Sequence, residues 1–357
     1  MLNSFFKDLK VIELASILAG PSVGMFFAEL GAEVIKIENQ KTGGDITRQW
    51  RLPNESRETA HSAYYCSVNW GKKVLMLDLS NAEDHANLLQ LIKEADVVIS
   101  NFKTASAKKL KIDYDSLKTQ YPKLIFAQLT GFGEEDKRPA FDVVLQAEAG
   151  FLYMTGEAER EAVRMPVALI DLLAAHQLKE AILIALLHRA RTGEGSYVST
   201  SLLESALASL ANQATNWLMG KHIPQRMGTK HPNIAPYGDI FYTSDEKPLV
   251  IAVGTDRQFS DLCSVLGDAS ILENSKFKTN AARVENRLEL VGVLKPFFLK
   301  FQREELLQLL HEKGVPVGSI RDMQEVFEQK KAQAMILEQD MEGVTTKRVK
   351  TLAFQMK

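Results

Sequence analysis

The sequence has 357 residues, of which 45% are hydrophobic and 25% are charged, as in ordinary globular proteins. At roughly 150 residues per domain, this length predicts about two domains. The 43 Lys and Arg residues nearly balance the 45 Asp and Glu residues, which argues against the broadly basic surface of a nucleic-acid-binding protein. The two cysteines, Cys66 and Cys263, form no ligand pattern, so neither a disulfide scaffold nor a zinc site is expected.

The N-terminal segment carries charges and has no signal-peptide pattern. No stretch of about 18 uninterrupted apolar residues indicates a membrane span. The seven histidines are scattered and lack metal-ligand spacing. We therefore predict a cytoplasmic protein that binds no metal, no membrane and no nucleic acid.

In chain order, short β-rich runs alternate with helical segments over the first 130 residues. The predicted strands are 11–14, 34–38, 74–79, 97–99 and 124–127, and the predicted helices are 23–30, 84–94 and one that ends at 120. Strands separated by helices indicate βαβ units and a parallel sheet covered on both faces. Ligands of such sheets bind beyond the carboxyl ends of the strands.

The second half begins with the strongest helix signal, which runs from just after Pro166 to about Arg191 and ends before Gly193. A second helix is predicted over 202–219, and 221–234 is a polar linker. The remaining predicted elements are strands at 240–242 and 249–253 and helices at about 256–266, 287–301 and 303–313. The second half thus adds a smaller α+β unit to the parallel α/β unit.

Two early motifs have both a functional and a structural interpretation. Gly20-Pro21 lacks the spacing of a dinucleotide-binding GxGxxG motif, so it is either an anion site at the start of the next helix or a simple turn. In the run Gly43–Arg48, the guanidinium of Arg48 suits phosphate. The alternative is a solvated loop with an Asp45–Arg48 pair.

Asp171 is the strongest candidate for catalysis. It lies in the first turn of the long predicted helix, among apolar residues and one turn before Ala174 and Ala175. A partly desolvated carboxylate beside small side chains, which leave room for a substrate, is a competent nucleophile toward an acyl group. The alternative is an Asp that complements the helix dipole.

Several short sequence segments are informative when they are taken together and in chain order. They are Val11–Leu14, Leu18–Pro21, Leu30–Glu38, Gly44–Arg48, Asn69–Lys73, Leu77–Leu79, Ala95–Phe102, Gly131–Gly133, Phe141–Ala147, Arg191–Gly195, Ile234–Gly238 and Gly314–Gly318. Over essentially the whole chain, they resemble the CaiB/BaiF family, the class III CoA-transferases. The resemblance implies a Rossmann-like large domain over 1–220, a linker over 221–234 and a small α+β domain over 235–325. It also implies that 326–357 return to the large domain, and that two chains interlock as a homodimer.

The resemblance assigns the catalytic role to Asp171. The implied reaction, of class EC 2.8.3, moves CoA from an acyl-CoA to a carboxylic acid through an aspartyl mixed anhydride and an aspartyl-CoA thioester. It requires no metal and no permanently bound cofactor. The residues implied to contact CoA are Ile17, Lys36, Asn39, Arg48, Asn101, Phe102 and Lys109.

Four departures from the family pattern keep alternatives open. Asn39 stands where some members carry an Arg that holds the nucleotide, and Leu18 replaces the Gln of the oxalate-handling branch. Phe141 stands where α-methylacyl-CoA racemases have a His, which favours transfer over epimerisation because epimerisation needs two opposed acid/base groups. A third interpretation is an acyl-CoA-binding protein without turnover, since the family's usual closing helix does not follow Phe354.

Overall fold

The computed structural model describes residues 4–57, 59–341 and 343–355. The strands are β1 (Lys10–Leu14), β2 (Glu33–Asn39), β3 (Lys73–Leu77), β4 (Val97–Ser100), β5 (Ile125–Thr130), β6 (Ser196–Ser201), β7 (Tyr237–Tyr242), β8 (Pro248–Ala252), β9 (Val317–Ser319), β10 (Ile336–Met341) and β11 (Val344–Val349). The helices are α1 (Ala19–Glu29), α2 (Ala63–Cys66), α3 (Ala82–Lys93), α4 (Thr104–Lys109), α5 (Tyr114–Leu117), α6 (Asp142–Glu148), α7 (Phe151–Met154), α8 (Leu169–Thr192), α9 (Leu202–Ala208), α10 (Ala211–Gly220), α11 (Asp256–Leu266), α12 (Asn280–Glu285), α13 (Arg287–Phe298), α14 (Arg303–Glu312), α15 (Met323–Phe327) and α16 (Lys330–Gln333).

The chain divides into two compact units. The first contains the described residues within 1–152, 164–223 and 331–357, and the second contains 153–163 and 224–330. Three boundaries differ from the sequence prediction, and one of them is that residues 326–330, expected in the large domain, group with the second unit. Residues 153–163, expected in the large domain, group with the second unit, and so does most of the 221–234 segment that was expected to be a linker.

The first unit is built on a six-stranded parallel sheet with the order β3-β2-β1-β4-β5-β6. The central strands are buried because helices cover both faces, as expected for βαβ units. Helix α1 is buried along its whole length and packs against α8. The prediction of a parallel α/β fold is confirmed.

The second unit contains an antiparallel sheet with the order β7-β8-β9. Apolar side chains of the strands and of α11, α13 and α14 form its core; among them, Phe241 and Phe298 stack with ring centroids 4.1 Å apart. This separate core explains why the unit is compact by itself, and the predicted α+β class is confirmed.

Several elements differ from the sequence prediction. Helix α1 begins at Ala19, so Gly20 and Pro21 form its first turn instead of a turn before it; a proline is tolerated there because first-turn N–H groups have no helical partner. The single helix predicted over 202–219 is two helices. The break consists of Ser209, whose hydroxyl donates to the Ser205 carbonyl, and Leu210, and it is followed by Ala211, which has a φ of 48°.

Four strands were not predicted, among them the short strand β9, which pairs with β8 in the second unit. The polar strand β6 pairs with β5 at the edge of the large sheet, and β10 and β11 form an antiparallel hairpin. Across residues 4–57, 59–341 and 343–355, no helix combines the length and apolarity that a membrane span requires.

Candidate active site

The β1–α1 turn and the end of β4 are held together by Asn101. Its side-chain oxygen accepts the Ser16 N–H at 3.2 Å, and its amide nitrogen donates to the Ser16 carbonyl at 2.9 Å. Two residues predicted to contact CoA, Ile17 and Asn101, therefore lie side by side at the carboxyl ends of neighbouring strands, where parallel sheets bind ligands.

Arg48 lies in a buried network and not in a solvated loop. Its guanidinium donates to Glu38 at 2.7 and 3.1 Å and to the Tyr65 hydroxyl at 2.7 Å, and it stacks over the Tyr65 ring. The expected Asp45–Arg48 pair is absent among these contacts, since Asp45 pairs with Lys36 at 3.0 Å. The interpretation of this run as a solvated loop is therefore wrong, because both charged side chains find partners inside the fold.

The side chain of Lys36 is fully buried. Its ammonium lies 3.0 Å from Glu13, 3.0 Å from Asp45 and 2.6 Å from the Ala15 carbonyl. Burial acts against the charged form, but Glu13 and Asp45 outweigh it and hold the pKa of Lys36 above its ordinary value. Because all three N–H groups have acceptors within the protein, the prediction that this ammonium contacts CoA directly is wrong.

Asn39 and Phe102 line the same cavity, which has a volume of about 230 Å³. Its walls at the ends of β2 and β3 are largely apolar, with Phe102 and Leu79 among them. At its rim, the Lys41 ammonium lies 2.8 Å from Asp78 and also contacts Ser80. The cavity can hold a flat, apolar ring, and the Lys41 ammonium can face polar groups attached to that ring.

Lys109 ends the short helix α4, and its side chain is exposed. It does not line this cavity. The larger cavity of about 900 Å³ is lined by Arg48, Arg51 and Arg57 and by the end of β10, and contains none of the other predicted site residues. The structure thus brings together Ile17 with Asn101 and Asn39 with Phe102, and gives Lys36 a different environment.

Asp171 is the third residue of α8, with 8% of its surface exposed. Burial, assisted by the negative charge of nearby Asp142, raises the pKa of the Asp171 carboxyl to about 7. Ala174 and Ala175 are fully buried in the core cluster that includes α1. They serve helix packing and do not leave the space for a substrate that the sequence suggested.

Asp142 holds the start of α8 and was not singled out from the sequence. Its Oδ1 accepts the backbone N–H of Ile170 at 2.7 Å and that of Asp171 at 3.4 Å. Ala168, at the N-cap, has no side-chain cap, so a residue from α6 satisfies these N–H groups instead. Gln146 donates to the other oxygen of Asp142 and accepts from the Met165 N–H at 2.9 Å. The signal was the polar pair of Asp142 and Gln146, spaced one helical turn apart within an apolar run.

The described residues include no group of three or more His, Cys, Asp or Glu side chains that could hold a metal ion. The chemical feature that the structure does show is a buried carboxylate at a helix N-terminus, supported by a second carboxylate that accepts the helix N–H groups.

Comparisons with known proteins give consistent results. The model of "CoA-transferase family III" matches residues 6–357. A succinate–glutarate CoA-transferase of Agrobacterium fabrum is 38% identical, over 94% of this chain and 85% of that protein. The succinyl-CoA:glutarate CoA-transferase of Homo sapiens is 33% identical, over 90% of this chain and 73% of that protein. The crystal structure of a CaiB/BaiF family protein from Brucella suis superposes with a TM-score of 0.86 at 38% identity, covering 98% of this chain and 91% of that one.

Proposed function

Because the chain belongs to CoA-transferase family III and is a CoA-transferase of class EC 2.8.3, we propose that Asp171 is the nucleophile that carries the transfer. The observation that supports this role most is its place in α8: a buried carboxylate in the first turn, beside N–H groups already satisfied by Asp142. The helix N-terminus favours the anion, while burial leaves it poorly solvated and reactive.

The proposed reaction has four steps. The Asp171 carboxylate attacks the carbonyl carbon of the donor thioester, which forms a mixed anhydride and releases the CoA thiolate. The thiolate attacks the aspartyl carbonyl, giving an aspartyl-CoA thioester and the free donor acid. The acceptor carboxylate attacks this thioester, forming a second anhydride and releasing the thiolate again. The thiolate then takes the acceptor acyl group, and Asp171 is regenerated as a carboxylate.

The surroundings of Asp171 suit these intermediates. An anhydride hydrolyses when water reaches it, so a buried nucleophile protects each intermediate from loss. The sequence of steps balances without an oxidant, a metal or a permanently bound cofactor, because the only groups exchanged are acyl and thiolate.

We place CoA along the carboxyl ends of the strands. The cavity lined by Asn39 and Phe102 suits the adenine ring, and Lys41 at its rim, with the exposed Lys109, suits the phosphates. The pantetheine arm then passes the Ile17 turn held by Asn101. Lys36 and Arg48 act indirectly in this proposal, since both are paired with buried carboxylates, whereas the side chain of Lys41 is largely exposed beside Asp78.

For the substrate class, we propose succinyl-CoA as donor and a dicarboxylate such as glutarate as acceptor. The support is that the relatives described above are named for succinate and glutarate. The test is a panel of donor acyl-CoAs and carboxylic acids, read by formation of the new acyl-CoA. We expect transfer with dicarboxylates, and rapid α-proton exchange in deuterated water without transfer would instead support the racemase alternative.

The pKa of Asp171 predicts a pH-dependent rate. Only the carboxylate is a nucleophile, so kcat/KM for the acyl-CoA should fall about tenfold per pH unit below about 7 and be constant above it. An ordinary Asp would give a plateau down to about pH 5. Asp142→Asn keeps an acceptor oxygen but removes a charge, so the acidic limb should move to lower pH. A rate that is constant from pH 5 to 8 would show that the pKa of Asp171 is not raised in the reacting enzyme.

The cavity predicts a selective binding defect. Phe102→Ala removes an aromatic wall and should raise KM for the acyl-CoA by about tenfold, with kcat within about threefold of wild type, because ring stacking and burial contribute about 1 kcal/mol or more. Tyr242→Ala, which truncates an exposed aromatic of the second unit, is the control and should change KM less than twofold. If the two variants had equal KM values, the adenine ring of CoA would bind outside this cavity.

We also propose that the protein is a homodimer. Ile184 and Leu187 on α8, and Leu218 and Met219 on α10, are large apolar side chains that are more than half exposed. Such apolar surface favours burial against another chain. Light scattering on the purified protein should give the mass of two chains, and Leu218→Glu should weaken the association.

A further inference from the structure

The turn between β1 and α1 contains an unfavourable backbone conformation. Ile17 has a φ of 77°, in the left-handed region that β-branched residues rarely enter. Such a conformation persists only where the surrounding structure holds it, and it is common at ligand-binding sites. The turn lies at the carboxyl end of β1, beside Asn101.

Buried charges hold both ends of this turn. The Lys36 ammonium donates to the Ala15 carbonyl at 2.6 Å. The Ile17 N–H donates to Asp45 Oδ2 at 3.1 Å, and that same oxygen lies 3.0 Å from the Lys36 ammonium. One ion pair therefore fixes the backbone on either side of Ser16.

The ion pair belongs to a larger buried network of two carboxyl and two amino groups. Glu13 lies opposite Lys36 on the neighbouring strand and also pairs with Lys72 at 2.7 Å. The side chains of all four groups, Glu13, Lys36, Asp45 and Lys72, have no exposed surface. Gly24 leaves room for this network, because a Cβ at position 24 would overlap the Glu13 carboxylate.

We infer that Lys36 and Asp45 are positioning residues, which hold the Ala15–Ile17 turn in its strained form so that its backbone can face the acyl-CoA. This inference rests on the proposed function, since it assumes that CoA passes the turn. It changes the role of Lys36 from a ligand of CoA to a support beneath the ligand. A network that merely stabilises the fold would affect folding without a selective effect on CoA binding.

The first experiment separates these roles by comparing two buried carboxylates. Asp45→Asn should raise KM for the acyl-CoA, and Kd for CoA measured by calorimetry, by about tenfold, with kcat within about threefold of wild type. Asp239→Asn in the second unit is the matched control. Asp239 is also buried, accepts the Tyr237 N–H at 3.1 Å and pairs with Arg287 at 3.6 Å. It should lower stability and leave KM within twofold, and equal KM effects in the two variants would overturn the inference.

The second experiment tests whether Asp45 acts through Ile17. Glycine adopts a φ near 77° without steric cost. In Ile17→Gly, the turn can therefore keep its conformation with less support from Asp45. The effect of Asp45→Asn on Kd should therefore shrink from about tenfold to less than threefold in the Ile17→Gly background. The same tenfold effect in both backgrounds would overturn the inference. If wild type binds CoA but transfers none, the proposed function fails while this comparison of Kd values still stands.

Discussion

Replacing Asp171 by Asn should lower the rate of CoA transfer by at least about 10³-fold. The amide keeps the shape of the side chain but cannot attack a thioester, so no step of the proposed reaction can begin. Binding of CoA should stay within about threefold of wild type, because the adenine cavity and the Ile17 turn are unchanged. The measurement is formation of glutaryl-CoA from succinyl-CoA and glutarate, together with calorimetric titration of CoA.

The control for this variant is Asp115→Asn, which removes an exposed carboxylate paired with Lys118, and it should transfer CoA at the wild-type rate.

The stability of Asp171→Asn gives a second test. Because the pKa of Asp171 is raised in the folded state, its ionisation costs folding free energy, increasingly from about pH 4 to about pH 7. Asp171→Asn should therefore be more stable than wild type at pH 8, by on the order of 2–4 kcal/mol, and the difference should vanish near pH 4. Wild-type transfer by Asp171→Asn would exclude the mechanism.

Replacing Asp142 by Ala should reduce kcat by about 10²-fold, because it removes the acceptor for the N–H groups of Ile170 and Asp171. The first turn of α8 would then shift, and small displacements of a catalytic group cost about this much. Loss of a helix cap should also lower the free energy of unfolding by about 1–2 kcal/mol. Steady-state kinetics and urea unfolding measure the two effects.

Asp136→Ala is the control for Asp142→Ala, since Asp136 lies in the loop before α6 and pairs with Arg138. It should change kcat less than twofold. An Asp142→Ala variant with wild-type kcat would show that α8 is positioned by its packing alone and does not need this cap.

The position of Asp171 could be predicted because it depends on local sequence. An Asp in the first turn of an apolar helix, which ends with Gly193 at a φ of 80°, follows from helix signals alone. Its partner Asp142 could not be predicted in the same way. The cap joins residues 28 positions apart, and nothing in the local pattern of α6 shows which helix it serves.

The role of Lys36, a charged residue in a strand, could not be predicted from the local sequence either. A Lys in an apolar strand suggests a side chain that reaches a ligand, and the sequence alone does not show that Glu13 lies opposite it in the parallel register. Once the sheet order is known, the pairing follows, because an unpaired buried ammonium would be unfavourable. The strand order therefore decides whether Lys36 is a ligand or a support.

The unpredicted strand β6 has a similar cause. Its sequence is rich in Ser and Thr, and it lies at the edge of the sheet, so it lacks the apolar pattern of the central strands. Gly195 leads into it where a Cβ would overlap the Leu124 carbonyl. This close approach to β5 is a tertiary contact that no local pattern reveals.

The most direct test of the central claim is to identify the covalent intermediate. Wild-type protein is mixed with succinyl-CoA, treated with borohydride, which reduces an aspartyl-CoA thioester to homoserine, and digested for mass spectrometry. The proposed function predicts homoserine at position 171 only when the acyl-CoA is present. Continued transfer with an unmodified Asp171, or with the modification at another carboxylate, would contradict it.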